Sequence, residues 1–409
     1  MTHVNEFDIP GSVDADDAAP GGRLGLFAPV LAKLRGGRLR IRLPDGQLLA
    51  FGDGVGQHAT LVIERWRALR RLALGGSVGF AEAYIDRDWT SPDLVALLRL
   101  AARNAETLRA GMRGSRVIGF ANRLRHLLRG NSRHSSRRNI MAHYDLGNAF
   151  YALWLDPTMQ YSSAIWTEET PDLETAQARK LDRVVELLCL DDGERVLEIG
   201  CGWGALAMRL TETKNAKVAA ITLSPAQLDW ARARAAAREL DRQVDFRLQD
   251  YRDVRGEFDR IASIEMIEAV GEKHWPAYFR TLARSLRVGG RAVIQAITIS
   301  EANFERYRRH PDFIQRHIFP GGFLPTRTAI VTHATRAGLK IVAWERFGES
   351  YARTLAEWRR RFHARWPEAA AFGFDERFRR LWDYYLAYCE AGFAEGTIDV
   401  GLIAMERDR

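Results

Sequence analysis

The chain has 409 residues, of which 46% are hydrophobic and 27% charged, and its formal net charge at pH 7 is +8. This length leaves room for two or three domains with ample cores. No run of about 18 apolar residues occurs, so the sequence predicts no membrane-spanning helix. Three cysteines, Cys189, Cys201 and Cys389, show neither metal-ligand spacing nor a disulfide framework, which favours a reducing cytoplasm and no metal site.

The first part of the chain predicts a tail followed by a small α+β domain. Residues 1–22 are acidic and rich in small side chains, unlike a signal peptide, and indicate a disordered tail. Residues 37–52 alternate polar and apolar side chains around a Pro-Asp-Gly turn, which is typical of a β-hairpin. Helical patterns at 76–89 and 91–104 complete a predicted N-terminal domain over 23–105.

A basic amphipathic linker is predicted for residues 106–139. Between Glu106 and Asp145 there are nine arginines and no acidic residue. The positive charge of this segment exceeds the net charge of the whole chain. Apolar residues and arginines alternate there at helical spacing, which suits a helix on an anionic membrane surface. A solvated linker helix is the alternative. The segment lacks an aromatic stacking series or a recognised binding motif, so no nucleic-acid partner is expected.

From about residue 140 to the end, strands alternate with helices. Strands are predicted at 195–200, 217–223, 244–249, 258–265, 291–299, 340–347 and 399–407. Helices are predicted at 204–213, 225–239, 274–287, 326–338, 351–366 and 375–393. This βαβ rhythm requires a mostly parallel sheet with right-handed crossovers. We therefore predict an α/β catalytic domain over 140–409, with a Rossmann-like seven-stranded sheet and an inserted helical cap.

The stretch LEIGCGWG at 197–204 is the most specific signal in this domain. Gly200 and Gly202 allow a tight turn and close approach of the backbone to a ligand. Glu198, at the strand end, is a negative group suited to a cationic ligand. The spacing G-x-G-x-G differs from the dinucleotide fingerprint G-x-G-x-x-G. The loop therefore predicts an S-adenosyl-L-methionine site in a class I methyltransferase fold, the alternative being a plain strand–helix turn.

In such a sheet, ligands lie at the carboxyl ends of the strands, where the strand order reverses. This rule predicts one site built from several strand ends. The segments concerned are Gly200–Gly204, Thr222–Leu223, Asp250–Tyr251, Glu265–Glu268 and Gln295–Ile299.

Six segments in order resemble the cyclopropane-fatty-acyl-phospholipid synthases, with the mycolic acid cyclopropane synthases as relatives. They are HYDLGNAFYALWLDPTMQYSSAIW (143–166), LEIGCGWG, ITLSPAQ (221–227), IEMIEAVG (264–271), DFIQRHIFPGGFLP (312–325) and YARTLAEW (351–358). They cover most of residues 143–360, and GFAEAYIDRDW resembles part of the family's N-terminal domain.

The resemblance implies transfer of a methylene group from S-adenosyl-L-methionine to the cis double bond of unsaturated acyl chains in membrane phospholipids, forming cyclopropane fatty acids. It implies a bound bicarbonate as the general base. The expected partners are unsaturated phospholipid and an anionic membrane surface, with the protein peripheral at the inner face of the membrane. A homodimer is kept as an option, because the sequence does not determine the oligomeric state.

The resemblance also assigns residues to the cofactor, although each could instead cap a helix or pack in a core. Those expected at the amino-acid end of the cofactor are Tyr161 and Ser162. Those expected at the ribose and adenine edge are Thr222, Leu223, Gln227, Asp250 and Tyr251. Glu198, Gly200 and Gly202 complete the predicted cofactor site.

The resemblance places the expected catalytic residues around the bound bicarbonate. Glu268 and Tyr351 match the glutamate and tyrosine that bind bicarbonate in the family, and Ile297 is placed with them. Ser163 stands where better-known bacterial members have cysteine, and Gln295 where they have histidine. A serine hydroxyl and a glutamine amide can both donate hydrogen bonds to an anion. His143, Tyr144 and Asp145 match recurrent positions near the entrance.

Two questions stay open in the sequence. Aromatic residues of the segment after the fifth strand, such as Phe304, Tyr307 and Phe323, could line an acyl channel or form an aromatic core. The chemistry has two alternatives as well. One is a related enzyme of the same fold that makes methylene- or methyl-branched lipids or methylates a small molecule, and the other is a membrane-bound scaffold with a degenerate site. The intact glycine loop, Glu268 and Tyr351 argue against the scaffold.

Overall fold

The computed structural model describes residues 24–25, 27–111 and 146–408. The chain divides into two compact units, Met1–Ala121 with Asp375–Glu395, and Asn122–Phe374 with Gly396–Arg409. The predicted tail, most of the basic linker, and His143, Tyr144 and Asp145 lie outside the described residues. Within those residues, no helix is long and apolar enough to cross a membrane.

The first unit contains a small sheet with the strand order β2-β1-β3-β4. Its strands are β1 (Gly37–Arg42), β2 (Leu48–Phe51), β3 (Gln57–Ile63) and β4 (Trp89–Thr90). Its helices are Ala28–Leu31, Arg67–Ile85, Leu94–Arg103, Ala105–Gly111 and Glu376–Ala394. The predicted hairpin is confirmed, since β1 and β2 pair antiparallel. Strand β3, which pairs parallel to β1, was not predicted.

The helix Glu376–Ala394 belongs to the first unit, although the sequence division placed it in the catalytic domain. Tyr84 Oη donates a buried hydrogen bond to Asp383 Oδ2 at 2.6 Å. At the end of the helix, Glu395 pairs with Arg99 and Arg103 at 2.8 and 2.9 Å. These partners are about 300 residues away in the chain, so no local pattern could assign the helix.

The second unit is built on seven strands within the described residues. They are β5 (Arg195–Ile199), β6 (Lys217–Thr222), β7 (Val244–Leu248), β8 (Phe258–Ile264), β9 (Leu286–Ile299), β10 (Leu339–Arg346) and β11 (Ile398–Arg407). The α-helices are Asn148–Ala152, Leu173–Leu188, Ala205–Lys214, Pro225–Ala237, Ile267–Val270, Trp275–Ser285, Glu301–Arg309, Arg327–Arg336, Gly348–Ala364 and Trp366–Ala371. Short 3₁₀ turns occupy Tyr251–Asp253 and Glu272–His274, and a π-turn occupies Ile314–Ile318.

These strands form one sheet in the order β10-β11-β9-β8-β5-β6-β7. Strand β11 runs antiparallel to β9 and β10, and the other pairs are parallel. The predicted α/β class, with a mostly parallel seven-stranded sheet, is confirmed. The chain leaves β5 toward β6 and β7 and then returns to β8 on the other side of β5. The carboxyl ends of β5 and β8 therefore form the switch point where such sheets bind ligands.

Alternating side chains of the strands contribute to a hydrophobic core on each face of the sheet. On β5, Leu197 and Ile199 belong to one core and Val196 to the other. This alternation follows from the two-residue period of a strand. Glu198 shares the face of Val196, so its carboxyl group points into a protein interior rather than into solvent.

The aromatic residues after β9 pack in the first of these cores. The Phe323 ring centroid lies 4.8 Å from that of Tyr307 and 5.9 Å from those of Phe304 and Trp275. These contacts support the aromatic-core interpretation for the three residues, rather than an acyl channel.

Candidate active site

The loop after β5 contains three glycines in the left-handed region, with φ values of 81° at Gly200, 52° at Gly202 and 85° at Gly204. A Cβ atom at Gly204 would lie 2.7 Å from Phe246 Cζ, so this glycine is needed for packing. A Cβ atom at Gly202 would meet nothing within 4 Å. Gly202 therefore leaves open space beside the backbone, as a ligand-binding loop requires.

One cavity at the carboxyl ends of β5 and β6 brings together nine of the ten residues predicted to bind the cofactor. They are Tyr161, Ser162, Glu198, Gly200, Gly202, Thr222, Leu223, Gln227 and Tyr251. The described residues that line this cavity do not include Asp250. Its two carboxylate oxygens instead accept hydrogen bonds from Arg252, at 2.8 and 2.6 Å. The individual roles of these residues remain predictions.

The polar edge of the cavity is fixed by a helix cap. Ser224 caps the helix Pro225–Ala237 by accepting a hydrogen bond from Gln227 N at 3.3 Å. Thr222 Oγ1 donates to Gln227 Oε1 at 2.9 Å. The cap thus holds the Thr222 and Gln227 side chains together at the end of β6, where the sequence places the ribose contact.

Lys180 is a cavity residue that the sequence argument missed. Its side chain is buried, and Nζ donates a hydrogen bond to Ser162 Oγ at 2.7 Å. Lys180 lies on the helix Leu173–Leu188, on the face that also buries Ala176 and Val184. A lysine on an otherwise apolar helix face is the signal that could have identified it.

Lys180 and Glu198 are two buried ionisable side chains in the cavity wall. The Oε2 atom of Glu198 is buried and has no hydrogen-bond partner among the described residues. Burial raises the pKa of Glu198 to about 8, although the backbone hydrogen bond from Ala207 and the positive charge of Lys180 oppose this shift. Burial likewise lowers the pKa of Lys180 to about 8. The unpartnered carboxyl oxygen is an acceptor available to a bound ligand.

A second cluster, next to this cavity, surrounds the carboxylate of Glu265. Its Oε1 atom accepts hydrogen bonds from Ser163 N at 2.8 Å and from Gln295 Nε2 at 2.6 Å. Its Oε2 atom accepts one from Tyr351 Oη at 2.7 Å. Glu265 also lines the cofactor cavity. Glu265 was only part of a predicted strand-end segment, and it is the residue on which three predicted catalytic positions converge.

The predicted catalytic residues thus meet, but with different partners from those expected. The Ser163 hydroxyl donates to the carbonyl oxygen of Ala164 at 2.9 Å. The hydrogen bond from Ser163 to Glu265 comes from the backbone N–H instead. The Tyr351 hydroxyl donates to Glu265 and not to Glu268. Because these contacts come from four separate segments, the order of residues in the chain could not reveal them.

Glu268 is held apart from that cluster. Its Oε1 atom accepts a hydrogen bond from Ile297 N at 2.5 Å, and its Oε2 atom is buried without a partner among the described residues. Burial, together with the nearby charge of Glu265, raises the pKa of Glu268 to about 8. Burial also raises the pKa of Glu265, against the lowering effect of its three donors and of Lys180. Glu265 thus has three hydrogen-bond donors that favour its ionised form, whereas Glu268 has the backbone N–H of Ile297.

Comparison with known proteins places this chain among lipid-modifying enzymes. The sequence profile of the family described as mycolic acid cyclopropane synthetase matches residues 131–403. Tuberculostearic acid methyltransferase UfaA1 of Mycobacterium tuberculosis is 40% identical over 375 residues, 88% of this chain and 86% of that protein. Cyclopropane-fatty-acyl-phospholipid synthase of Escherichia coli is 35% identical over 344 residues, 83% of this chain and 85% of that protein.

A solved structure extends the similarity to the fold. The crystal structure of mycolic acid cyclopropane synthase CmaA1 complexed with SAH and CTAB superposes with a TM-score of 0.62 at 30% identity. The match covers 66% of this chain and 98% of that chain.

Proposed function

The chain belongs to the mycolic acid cyclopropane synthetase family of S-adenosyl-L-methionine-dependent, lipid-modifying enzymes, and on this premise we propose that it forms cyclopropane fatty acids. The substrate is the cis double bond of an unsaturated acyl chain in a membrane phospholipid. The observation that carries the proposal is the position of Glu265. Its carboxylate lines the cavity of the glycine loop and is held by donors from three other segments.

The residues of the cavity fit S-adenosyl-L-methionine. Lys180 places an ammonium donor and Glu198 an unpartnered carboxyl oxygen in the same cavity wall, which suits the carboxylate and the ammonium of an amino-acid end. The open backbone at Gly202 allows close approach of a ligand, and the paired Thr222 and Gln227 offer polar contacts. When bound, the cofactor supplies an electrophilic methyl group carried on a sulfonium.

An alkene is a weak nucleophile, so the site must stabilise the positive charge that develops on the acyl chain when it attacks a methyl group. The negative charge of Glu265 lies beside apolar side chains of the same cavity, such as Ile199 and Met266. A charge in a water-poor site acts more strongly than in solvent. Exclusion of water also protects the cation from capture.

Bicarbonate does not fit this site as the family resemblance implied. Its assigned ligands include Tyr351, and its expected hydrogen-bond donors include Ser163 and Gln295. In this structure the Tyr351 hydroxyl and the Gln295 amide donate to Glu265, and the Ser163 hydroxyl donates to the carbonyl oxygen of Ala164. An added anion would also face the neighbouring charge of Glu265, which is a repulsive arrangement. No step of the proposed reaction is therefore assigned to bicarbonate.

The reaction is tested with unsaturated phospholipid vesicles and methyl-labelled S-adenosyl-L-methionine. We expect fatty acid methyl esters that gain one CH₂ unit and show ring protons but no vinyl protons in the proton NMR spectrum. Transfer of label without ring protons would contradict cyclopropanation while retaining lipid methylation. Absence of label in lipid at every vesicle composition tested would contradict the proposed function itself.

A second candidate is formation of methylene- or methyl-branched fatty acids at the same double bond. It is favoured by the 40% identity to a protein named a tuberculostearic acid methyltransferase, which covers more of this chain than the match to the Escherichia coli synthase. The same spectra distinguish the two, because a methylene branch shows vinyl protons and a methyl branch shows neither signal.

We also propose that the protein acts peripherally at the inner face of the membrane, through the basic segment 106–139. Each arginine near an anionic surface contributes about 1 kcal/mol of attraction, and salt screens this attraction. Sedimentation with vesicles should therefore show stronger binding to anionic than to zwitterionic lipid, weakening as salt is added. Equal binding to both lipids would reject a role for the segment in membrane attachment.

A further inference from the structure

We propose that Glu265 is the general base of this chain, so that a carboxylate of the protein does what a free bicarbonate was expected to do. The inference rests on the proposed function, because a base is needed only if a proton leaves the added methyl group. It concerns which group removes that proton. Its ligand-binding test, described below, does not depend on lipid turnover.

The hydrogen bonds of Glu265 leave room for one proton. A carboxylate has about four lone-pair positions on its two oxygens. Among the described residues, Oε1 accepts from Ser163 N and Gln295 Nε2, while Oε2 accepts from Tyr351 Oη alone. One lone pair of Oε2 is thus available to a C–H group in the cavity that Glu265 lines.

The donors also suit a base that must stay ionised. An amide N–H, a side-chain NH₂ and a phenol O–H all stabilise a carboxylate, and none of them carries a positive charge that would neutralise it. Glu268, in contrast, accepts one backbone hydrogen bond and is not among the described residues that line the cavity. The two carboxyl groups therefore have different roles, with Glu265 as the proton acceptor.

The proton transfer balances without a further reactant. The alkene electron pair forms a bond to the methyl carbon as the carbon–sulfur bond breaks, and the pair of that bond stays on sulfur. A C–H bond of the new methyl group then breaks, and its proton goes to Oε2 of Glu265. The electron pair of the C–H bond forms the third side of the ring and neutralises the cationic carbon. The carboxyl group later returns the proton to solvent.

The backbone at Glu265 gives the proposal a favourable test variant. Glu265 has a φ of 48°, in the left-handed region that a non-glycine residue seldom adopts. Such strained conformations concentrate at functional sites. Glycine adopts this region without strain, so Glu265→Gly should fold, and it removes the carboxylate while keeping the donors at Ser163, Gln295 and Tyr351.

The test compares bicarbonate binding and turnover in wild type and Glu265→Gly. Carbon-13 NMR of labelled bicarbonate should show binding to Glu265→Gly and none to wild type, without lipid present. In carbonate-free buffer, Glu265→Gly should lose about 100-fold or more of the wild-type rate. Added bicarbonate or formate should raise the rate of Glu265→Gly at least tenfold, and the increase should depend on the concentration added. The wild-type rate should stay constant.

Glu257→Gln is the matched control. Glu257 precedes strand β8, whereas Glu265 follows it, and the Glu257 side chain is 64% exposed. It should match wild type in every measurement. Bicarbonate binding to wild type, or a wild-type rate that rises with added bicarbonate, would overturn the proposal. So would a fully active Glu265→Gly in carbonate-free buffer. If wild type transfers no label to lipid, the proposed function fails, and the NMR comparison still decides whether Glu265 fills the anion site.

Discussion

Glu265→Gln should lower kcat by about 10²–10⁴-fold, the usual contribution of a general base, while the Kd for S-adenosyl-L-methionine stays near the wild-type value. Glutamine keeps the size of the side chain and its contacts with Ser163, but it cannot accept a proton. Single-turnover kinetics with labelled cofactor measure the rate, and titration calorimetry measures the Kd. A kcat within twofold of wild type would show that Glu265 is not the base.

The pH profile gives an independent measure of the same residue. A base acts only when deprotonated, so kcat of the wild type should fall as the pH is lowered through the pKa of Glu265. Because burial raises this pKa, the acid limb should lie above the ordinary glutamic acid value of 4.5. The charged or titratable neighbours that influence it are Tyr351, Lys180 and Glu268. If the residual activity of Glu265→Gln shows the same acid limb as the wild type, the limb arises from the titration of another group.

Alanine substitutions at Gly204 and Gly202 should separate folding from cofactor binding. Both glycines have positive φ, which costs alanine about 1–2 kcal/mol. At Gly204 the new Cβ also overlaps the Phe246 ring at 2.7 Å, which adds about 1–3 kcal/mol. The total loss in free energy of unfolding for Gly204→Ala should therefore be about 2–5 kcal/mol, and urea denaturation would measure it.

Gly202→Ala serves as the comparison in the same loop. A Cβ atom there meets no protein atom within 4 Å, so only the backbone cost applies to its stability. The methyl group instead enters the space beside the predicted cofactor, and affinity should fall by about tenfold or more, equivalent to about 1.4 kcal/mol. Equal destabilisation by the two variants would contradict the distinct roles assigned to these glycines.

Local patterns were sufficient for much of the fold and for the cofactor cavity. The βαβ rhythm and the turn at LEIGCGWG predicted the strands that form the parallel part of the sheet. The glycine loop, the strand-end rule and the family motifs together predicted nine cofactor positions that line one cavity. These features depend on residues close together in the chain. Asp250 does not line the cavity, and its carboxylate accepts hydrogen bonds from Arg252, two residues away.

The sequence alone determined the family, the sheet and the glycine loop, because these follow from hydrophobic period, turn chemistry and contiguous motifs. Only the tertiary structure decided which carboxyl group accepts the hydrogen bonds of Ser163, Gln295 and Tyr351. Glu265 and Glu268 lie three residues apart in the same segment, and the sequence favoured Glu268. The left-handed backbone at Glu265 and donors from Ser163, Gln295 and Tyr351 select the other carboxylate. Hydrogen bonds between segments so far apart in the chain exist only after the sheet has brought them together.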